Sequence, residues 1–224
     1  MQSIKYIQYF FYLAYNWNLR IALHVIKNEI KGEKKYDINT TGVDELKILS
    51  QKGIDISHAT IYMPASYDLL EEIFRQADLK SVKHFVDIGC GKGRVMCVAA
   101  SQGVNKITGI DFSKELSVAA NINLAKTKQH FPALQYKIIN NDAFYFDIPD
   151  DVDCIFMFNP FDEIIMKGVE KNIEKSLAKS PRKMIIIYLN PVQKQIFLSK
   201  GYREIVHRKH LHYLEGSILI KKPR

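Results

Sequence analysis

Three glycines at alternate positions, Gly89, Gly91 and Gly93, separate an apolar run from a helical one in the segment Phe85-Val-Asp-Ile-Gly-Cys-Gly-Lys-Gly-Arg94. Alternate glycines let the main chain take angles closed to other residues, and let a ligand press on the backbone with no Cβ in the way. A buried strand that turns through such a loop directly into a helix is a nucleotide-type cradle. The dinucleotide fingerprint would need glycine where Arg94 stands, and a phosphate P-loop would need Gly-Lys-Ser/Thr where this chain has Gly-Lys-Gly. Both usual phosphate readings therefore lose ground.

Around this loop, strand-like runs at 84–89, 106–110, 134–139, 152–158 and 183–189 alternate with helical stretches at 93–102, 113–128, 163–178 and 192–199. That rhythm predicts a parallel sheet with helices on both faces. The runs at 202–207 and 217–221 have no helix between them, so they are expected to pair as an antiparallel ribbon at one edge. The expectation is an α/β chain with a Rossmann-like, doubly wound sheet of seven strands, the last antiparallel, plus an N-terminal helical extension. Residues 1–61 would form the extension and a connecting arm, and 62–224 the sheet domain. A length of 224 residues with 47% hydrophobic and 25% charged residues is ample for one sizeable core. After Pro64 a further helix is expected, with Ser66 as a possible N-cap and Leu69, Leu70, Ile73 and Phe74 on one side.

Two more strand ends carry carboxylates. Asp111, 22 residues after Gly89, closes the second strand-like run, where an acid can accept hydrogen bonds from both hydroxyls of a ribose. Asp142 lies just beyond the third, and a carboxylate followed by the free N–H of Ala143 can bind the exocyclic amine and a ring nitrogen of adenine. Asn159-Pro160-Phe161 follows the fourth.

At these four places residues 62–220 resemble the class I S-adenosylmethionine-dependent methyltransferases. The resemblance implies S-adenosyl-L-methionine as cofactor. Gly89, Gly91 and Gly93 would support its methionine part, with Asp87 facing the amino group, Asp111 and Phe112 at the ribose, and Asp142 and Ala143 at the adenine. Tyr62-Met-Pro-Ala65, the glycine loop and Asn159-Pro-Phe161 together look like a bacterial group within that family, more loosely similar to protein-lysine methyltransferases. Amine and amide methyltransferases usually show Asp/Asn-Pro-Pro-Tyr/Phe at the fourth strand, and this chain is one proline short. Asn159 would orient a nitrogen acceptor, and Phe161 and Tyr62 would wall its pocket. The expected activity is methylation of a nitrogen on a protein or small-molecule amine. An RNA methyltransferase and a non-catalytic cofactor-binding protein are the alternatives.

Charge singles out the front of the chain. Lys plus Arg exceed Asp plus Glu by 32 − 24 = 8, and residues 1–35 supply +4 of this with Lys5, Arg20, Lys27, Lys31, Lys34 and Lys35 against Glu29 and Glu33. Seven aromatics crowd the same stretch, whose apolar spacing predicts one or two amphipathic helices ending before Gly32. Such a segment suits a helix packed on the main domain, a lid over the acceptor, a peripheral membrane contact or a nucleic-acid contact. Tyr6, Tyr9, Tyr12 and Tyr15 drift around the helix, which favours the lid. The apolar stretch 9–15 is far short of the roughly 20 residues that cross a bilayer. Cys90, Cys97 and Cys154 form no CxxC pair, His207, His210 and His212 have no ligand spacing, and no metal is expected. The expected compartment is a reducing cytoplasm.

Overall fold

In the computed structural model, residues 2–16, 18–41, 64–158, 161–210 and 214–223 are described. The chain opens with two helices, α1 (Gln2–Asn16) and α2 (Leu19–Tyr36), and Asn18 caps α2 by accepting a hydrogen bond from the Ile21 N–H. After α3 (Tyr67–Gln76) and a short 3-10 turn come β1 (Phe85–Ile88), α4 (Arg94–Ser101), β2 (Lys106–Asp111), α5 (Lys114–His130) and β3 (Gln135–Asn140). The second half holds β4 (Cys154–Phe158), α6 (Glu163–Lys179), β5 (Met184–Leu189), α7 (Lys194–Leu198), β6 (Arg203–His210) and β7 (Leu214–Lys221).

The strands form one sheet in the order β3-β2-β1-β4-β5-β7-β6, five of them parallel. Strand β7 runs antiparallel to both β5 and β6, so the expected ribbon is present with the last strand on its inner side. Because the sheet is covered twice, β4 and β5 carry no charged residue at any position. Met184–Leu189 is buried throughout, and successive residues feed opposite cores. Ile185, Ile187 and Leu189 join the core that also holds Phe74 of α3 and Met96 of α4, whereas Ile186 and Tyr188 join Ile165, Met166 and Val169 of α6. In the first core Phe74 stands edge-on to Phe85 and Phe156 at 6.0 Å, a favoured aromatic geometry.

Two local expectations need correction. Ser66 does precede α3, but its hydroxyl donates to the Asp68 carboxylate instead of capping the helix. Helix α2 does not stop before Gly32; it runs on to Tyr36 and ends at Asp37 in the left-handed region (φ 51°). The glycine is there for contact. A Cβ at Gly32 would lie 2.3 Å from the Tyr67 ring, which packs where a side chain would otherwise stand.

Replacing glycine by alanine inside a helix ordinarily stabilises by about 0.5–1 kcal/mol. Gly32→Ala is expected to do the opposite here, because the Tyr67 ring is buried, stacked on Tyr36 and covered by Arg94. Overpacking costs about 1–3 kcal/mol, so a urea midpoint below the parent's is the expected outcome, and a midpoint above it would mean the ring yields.

Candidate functional site

The strand order reverses between β1 and β4, and in open α/β sheets ligands bind at such a switch point, beyond the carboxyl ends of the strands. The glycine loop lies there. Gly89, Gly91 and Gly93 all have positive φ (80°, 52° and 79°), and the N–H groups of Gly89 and Cys90 both donate to the Ile110 carbonyl at 2.9 Å, tying the loop to β2. Cys90 turns inward against Gly109, where a Cβ would meet its sulfur at 2.9 Å, and burial pushes its thiol well above the usual range.

Asp111 at the end of β2 is buried, and its two oxygens hold the two neighbouring loops. Oδ2 accepts from the Gly91 N–H at 2.8 Å, and Oδ1 from the Ser113 N–H at 2.9 Å, where Ser113 caps α5. Burial raises its pKa to about 6 against the pull of those two hydrogen bonds. Asp87 on β1 is more deeply enclosed, and its Oδ2 has no hydrogen-bond partner. Desolvation, and then the negative charge of Asp111, push its pKa well above the usual carboxylate range. Two coupled carboxylates, one with an orphaned oxygen, make a receptor for a cation or a hydrogen-bond donor.

Asn140 bridges the remaining pieces, its Nδ2 donating to the carbonyls of Asp111 (3.0 Å) and Phe112 (2.8 Å). Just beyond, Asp142 caps a 3-10 turn through the Phe144 N–H at 2.8 Å, with Ala143 buried beside it. Asp87, the three glycines, Asp111, Phe112, Asp142 and Ala143 thus come from the carboxyl ends of three adjacent strands. On the far side of the switch point Phe161 packs half-buried against the α6 core, and Asp162 caps that helix through the N–H groups of Ile164 and Ile165. Tyr62 and Asn159 lie outside the described residues, as does most of the arm.

Arg94, noticed in the sequence for not being glycine, is the residue on which these parts converge. It begins α4 directly after Gly93, is buried, and grips Glu29 of α2 with both terminal nitrogens (2.6 and 2.5 Å). It also donates to the Ala65 carbonyl (2.7 Å) and the Thr40 hydroxyl (2.8 Å), and its guanidinium lies 4.1 Å above the Tyr67 ring. Glu33 completes the arrangement, accepting from the backbone N–H groups of Thr40 and Thr41 and from the Tyr6 hydroxyl. Burial pushes the Glu33 carboxyl up, but these hydrogen bonds outweigh it and hold its pKa below the usual value. A cation in the first turn of a helix opposes the helix dipole. That mismatch in Gly-Lys-Gly-Arg is a sequence signal that could have pointed to a buried acid elsewhere, and it went unread.

Among the described residues no group of His, Cys, Asp and Glu is placed to hold a metal ion. Residues 85–179 match the family model of a methyltransferase domain. Among solved structures the chain is similar to StiE O-MT residues 961–1257 (16% identity, 71% of this chain and 74% of that one, TM-score 0.53). It is similar to a ribosomal protein L11 methylase of Lactobacillus delbrueckii subsp. bulgaricus (15%, 70% and 78%, 0.53). It is also similar to a SAM dependent methyltransferase of Aquifex aeolicus (13%, 67% and 88%, 0.51). At these identities the likeness is one of fold. No curated protein matches.

The Arg94–Glu29 pair makes a two-sided prediction. Glu29→Leu alone strands a buried guanidinium and should destabilise by about 3–5 kcal/mol, whereas the double variant Glu29→Leu/Arg94→Met removes both charges and should recover most of that loss. Denaturant melts of the parent, both single variants and the double variant test it. A double variant no more stable than the worse single variant would show that the charges do not act as a pair.

Proposed function

We propose that this chain, a class I methyltransferase by its fold and by the domain at 85–179, binds S-adenosylmethionine at the carboxyl ends of β1–β3 and methylates a nitrogen of a protein or small-molecule acceptor. The observation that carries the cofactor reading is the orphaned Oδ2 of Asp87, buried beneath the glycine loop next to a second carboxylate. An ammonium is the group that such an oxygen accepts best, and the methionine part of this cofactor brings one.

When bound, the cofactor supplies an electrophilic methyl group on a sulfonium. Around it, Asp87 would receive the amino group, Asp111 the ribose hydroxyls, and Asp142 with the Ala143 N–H the adenine edge. The positive-φ glycines leave their backbone open to close approach. Asp111 can do this while holding Gly91 and Ser113, since each carboxylate oxygen has a second lone pair. On the acceptor side Asn159 would accept an N–H hydrogen bond and aim the nitrogen lone pair at the methyl group, with Tyr62 and Phe161 as walls. An amine with a pKa near 10.4 must lose its proton first, and aromatic walls that exclude water favour the neutral form. Incubation with radiolabelled cofactor and fractionated lysate tests the acceptor class. Label in protein or amines, lost in Asn159→Ala, supports the reading; label in RNA would replace it.

Asp87→Asn should separate stability from binding. Replacing a buried carboxyl that burial and Asp111 make costly to ionise should raise the melting temperature of the ligand-free protein at neutral pH, while cofactor affinity falls by about 1.5–3 kcal/mol, the scale of a hydrogen bond to a charged group. Unchanged affinity by calorimetry would remove Asp87 from the site.

Asp111 also sets a pH dependence. Its folded pKa, about 6, lies above the unfolded value, so its contribution to stability is fully present below the unfolded pKa and is lost as pH rises through about 6. Ribose hydroxyls prefer the ionised carboxylate as acceptor, so binding should expel a proton and tighten as pH rises from 5 to 7.5. Calorimetry in buffers of different ionisation enthalpy reads the proton directly, and a pH-independent affinity with no proton release would refute the linkage.

A further inference from the structure

Helix α2 has three faces, and only one of them serves the fold. Its inward face carries Ile21, Ala22, Glu29, Gly32 and Glu33, all buried, with both acids committed to Arg94, Thr40 and Thr41. At roughly 100° per residue, Leu19, Leu23 and Ile30 fall in an outward sector about 40° wide, and each is about half exposed or more (47–60%). The sector beside it holds Arg20, Lys27, Lys31 and Lys34, all exposed.

Helix α1 repeats the pattern. Tyr9 and Leu13 are buried against Ala22 of α2, and the opposite side presents Ile4, Ile7, Phe11 and Tyr15, 56–91% exposed, with Lys5 at the margin. The drift of the tyrosines therefore does not prevent an apolar stripe; Ile4, Ile7 and Phe11 make most of it, and of the four tyrosines Tyr15 alone joins them. The two helices run antiparallel, since Tyr6 near the start of α1 reaches Glu33 near the end of α2.

Turning Glu29 and Glu33 inward changes the charge of this hairpin from a net surplus to a single sign. Its outward charges are Lys5, Arg20, Lys27, Lys31, Lys34 and Lys35. Of these only Lys35 has an ion-pair partner among the described residues, Glu71 at 3.1 Å. Large apolar side chains flanked by unpaired cations are the composition of a helix that lies in the headgroup region of a bilayer, with its apolar side among the acyl chains and its cations among anionic headgroups. A second copy fits poorly, because two such faces would bring like charges together. An RNA would use the cations and leave Ile4, Ile7, Leu19, Leu23 and Ile30 uncovered. No described helix is long and apolar enough to cross a membrane, so the contact would be peripheral.

We propose that the outward face of the α1–α2 hairpin docks the protein on an anionic phospholipid surface, with Ile4, Ile7, Phe11 and Leu23 as apolar anchors and Lys27, Lys31 and Lys34 as the headgroup contacts. The proposal stands independently of the cofactor and the acceptor.

Sedimentation of the full chain with phosphatidylcholine vesicles containing about 30% phosphatidylserine tests it, against vesicles of phosphatidylcholine alone. The parent is expected to pellet with the anionic vesicles at low salt, and at least about tenfold less with the neutral ones. Phe11→Ser/Leu23→Ser and Lys27→Glu/Lys31→Glu alter exposed positions only, so both should keep the parent's thermal melt and lose at least about tenfold in vesicle binding. Three results would overturn the proposal: no pelleting of the parent, serine variants that bind as well as the parent, or a concentration-dependent dimer that the serine variants abolish. RNA binding that competes with vesicles and survives the serine substitutions would reassign the face to nucleic acid.

Discussion

A guanidinium buried in the first turn of a helix is unfavourable on two counts, desolvation and the positive end of the helix dipole. Arg94 endures both because Glu29 meets it with two parallel charge-assisted hydrogen bonds and the Tyr67 ring covers its face. Four pieces of chain far apart in sequence are fixed by that one side chain: α2 through Glu29, the arm through Thr40, the entry to α3 through Ala65 and Tyr67, and the glycine loop through its own backbone. The N-terminal hairpin is thereby locked to the residue that follows Gly93. A disturbance in the hairpin has a short covalent and electrostatic route to the loop.

Within the site two carboxylates of the same kind have been given different tasks by their surroundings. Asp111 spends a lone pair of each oxygen on a loop N–H, which holds the glycine turn to the start of α5 and keeps its pKa near 6 despite burial. Asp87, a strand away, has no such backbone partner at Oδ2 and feels Asp111 as a like charge. One acid ties the loops together, and the other keeps an oxygen with no partner.

The sheet was legible because a doubly covered parallel sheet writes itself as short unbroken apolar runs separated by helices, and the absence of a helix between 207 and 217 announced the reversed strand. The gathering of the expected site residues was legible for a related reason: strand-end acids and alternate glycines sit at fixed places in such a sheet, and the structure brings Asp87, Asp111, Phe112, Asp142 and Ala143 to the ends of three neighbouring strands. What depended on long-range pairing was not. Gly32 reads as a helix stop until Tyr67, 35 residues on, is seen to occupy the space beside it. Glu29 and Glu33 read as ordinary charges on an amphipathic helix until Arg94 and the Thr40–Thr41 backbone claim them. Ser66 offered a cap, but Asp68, two residues away, took its hydroxyl.

The position of β7 between β5 and β6 has a consequence for how the chain is made. A growing polypeptide can assemble β3-β2-β1-β4-β5 as each strand appears, but the outer edge of β5, six buried apolar residues, stays open until residues 214–221 have left the ribosome. Strand β6 emerges earlier yet has no place of its own on that edge, since among the described residues its only strand partner is the one still to come. For that interval the nascent protein carries an unpaired, wholly apolar strand of the kind that recruits other chains. Stalled or shortened translation products should therefore be more prone to aggregation than the full chain, although β1 to β3 and the strand-end acids they carry are complete before the sheet is closed.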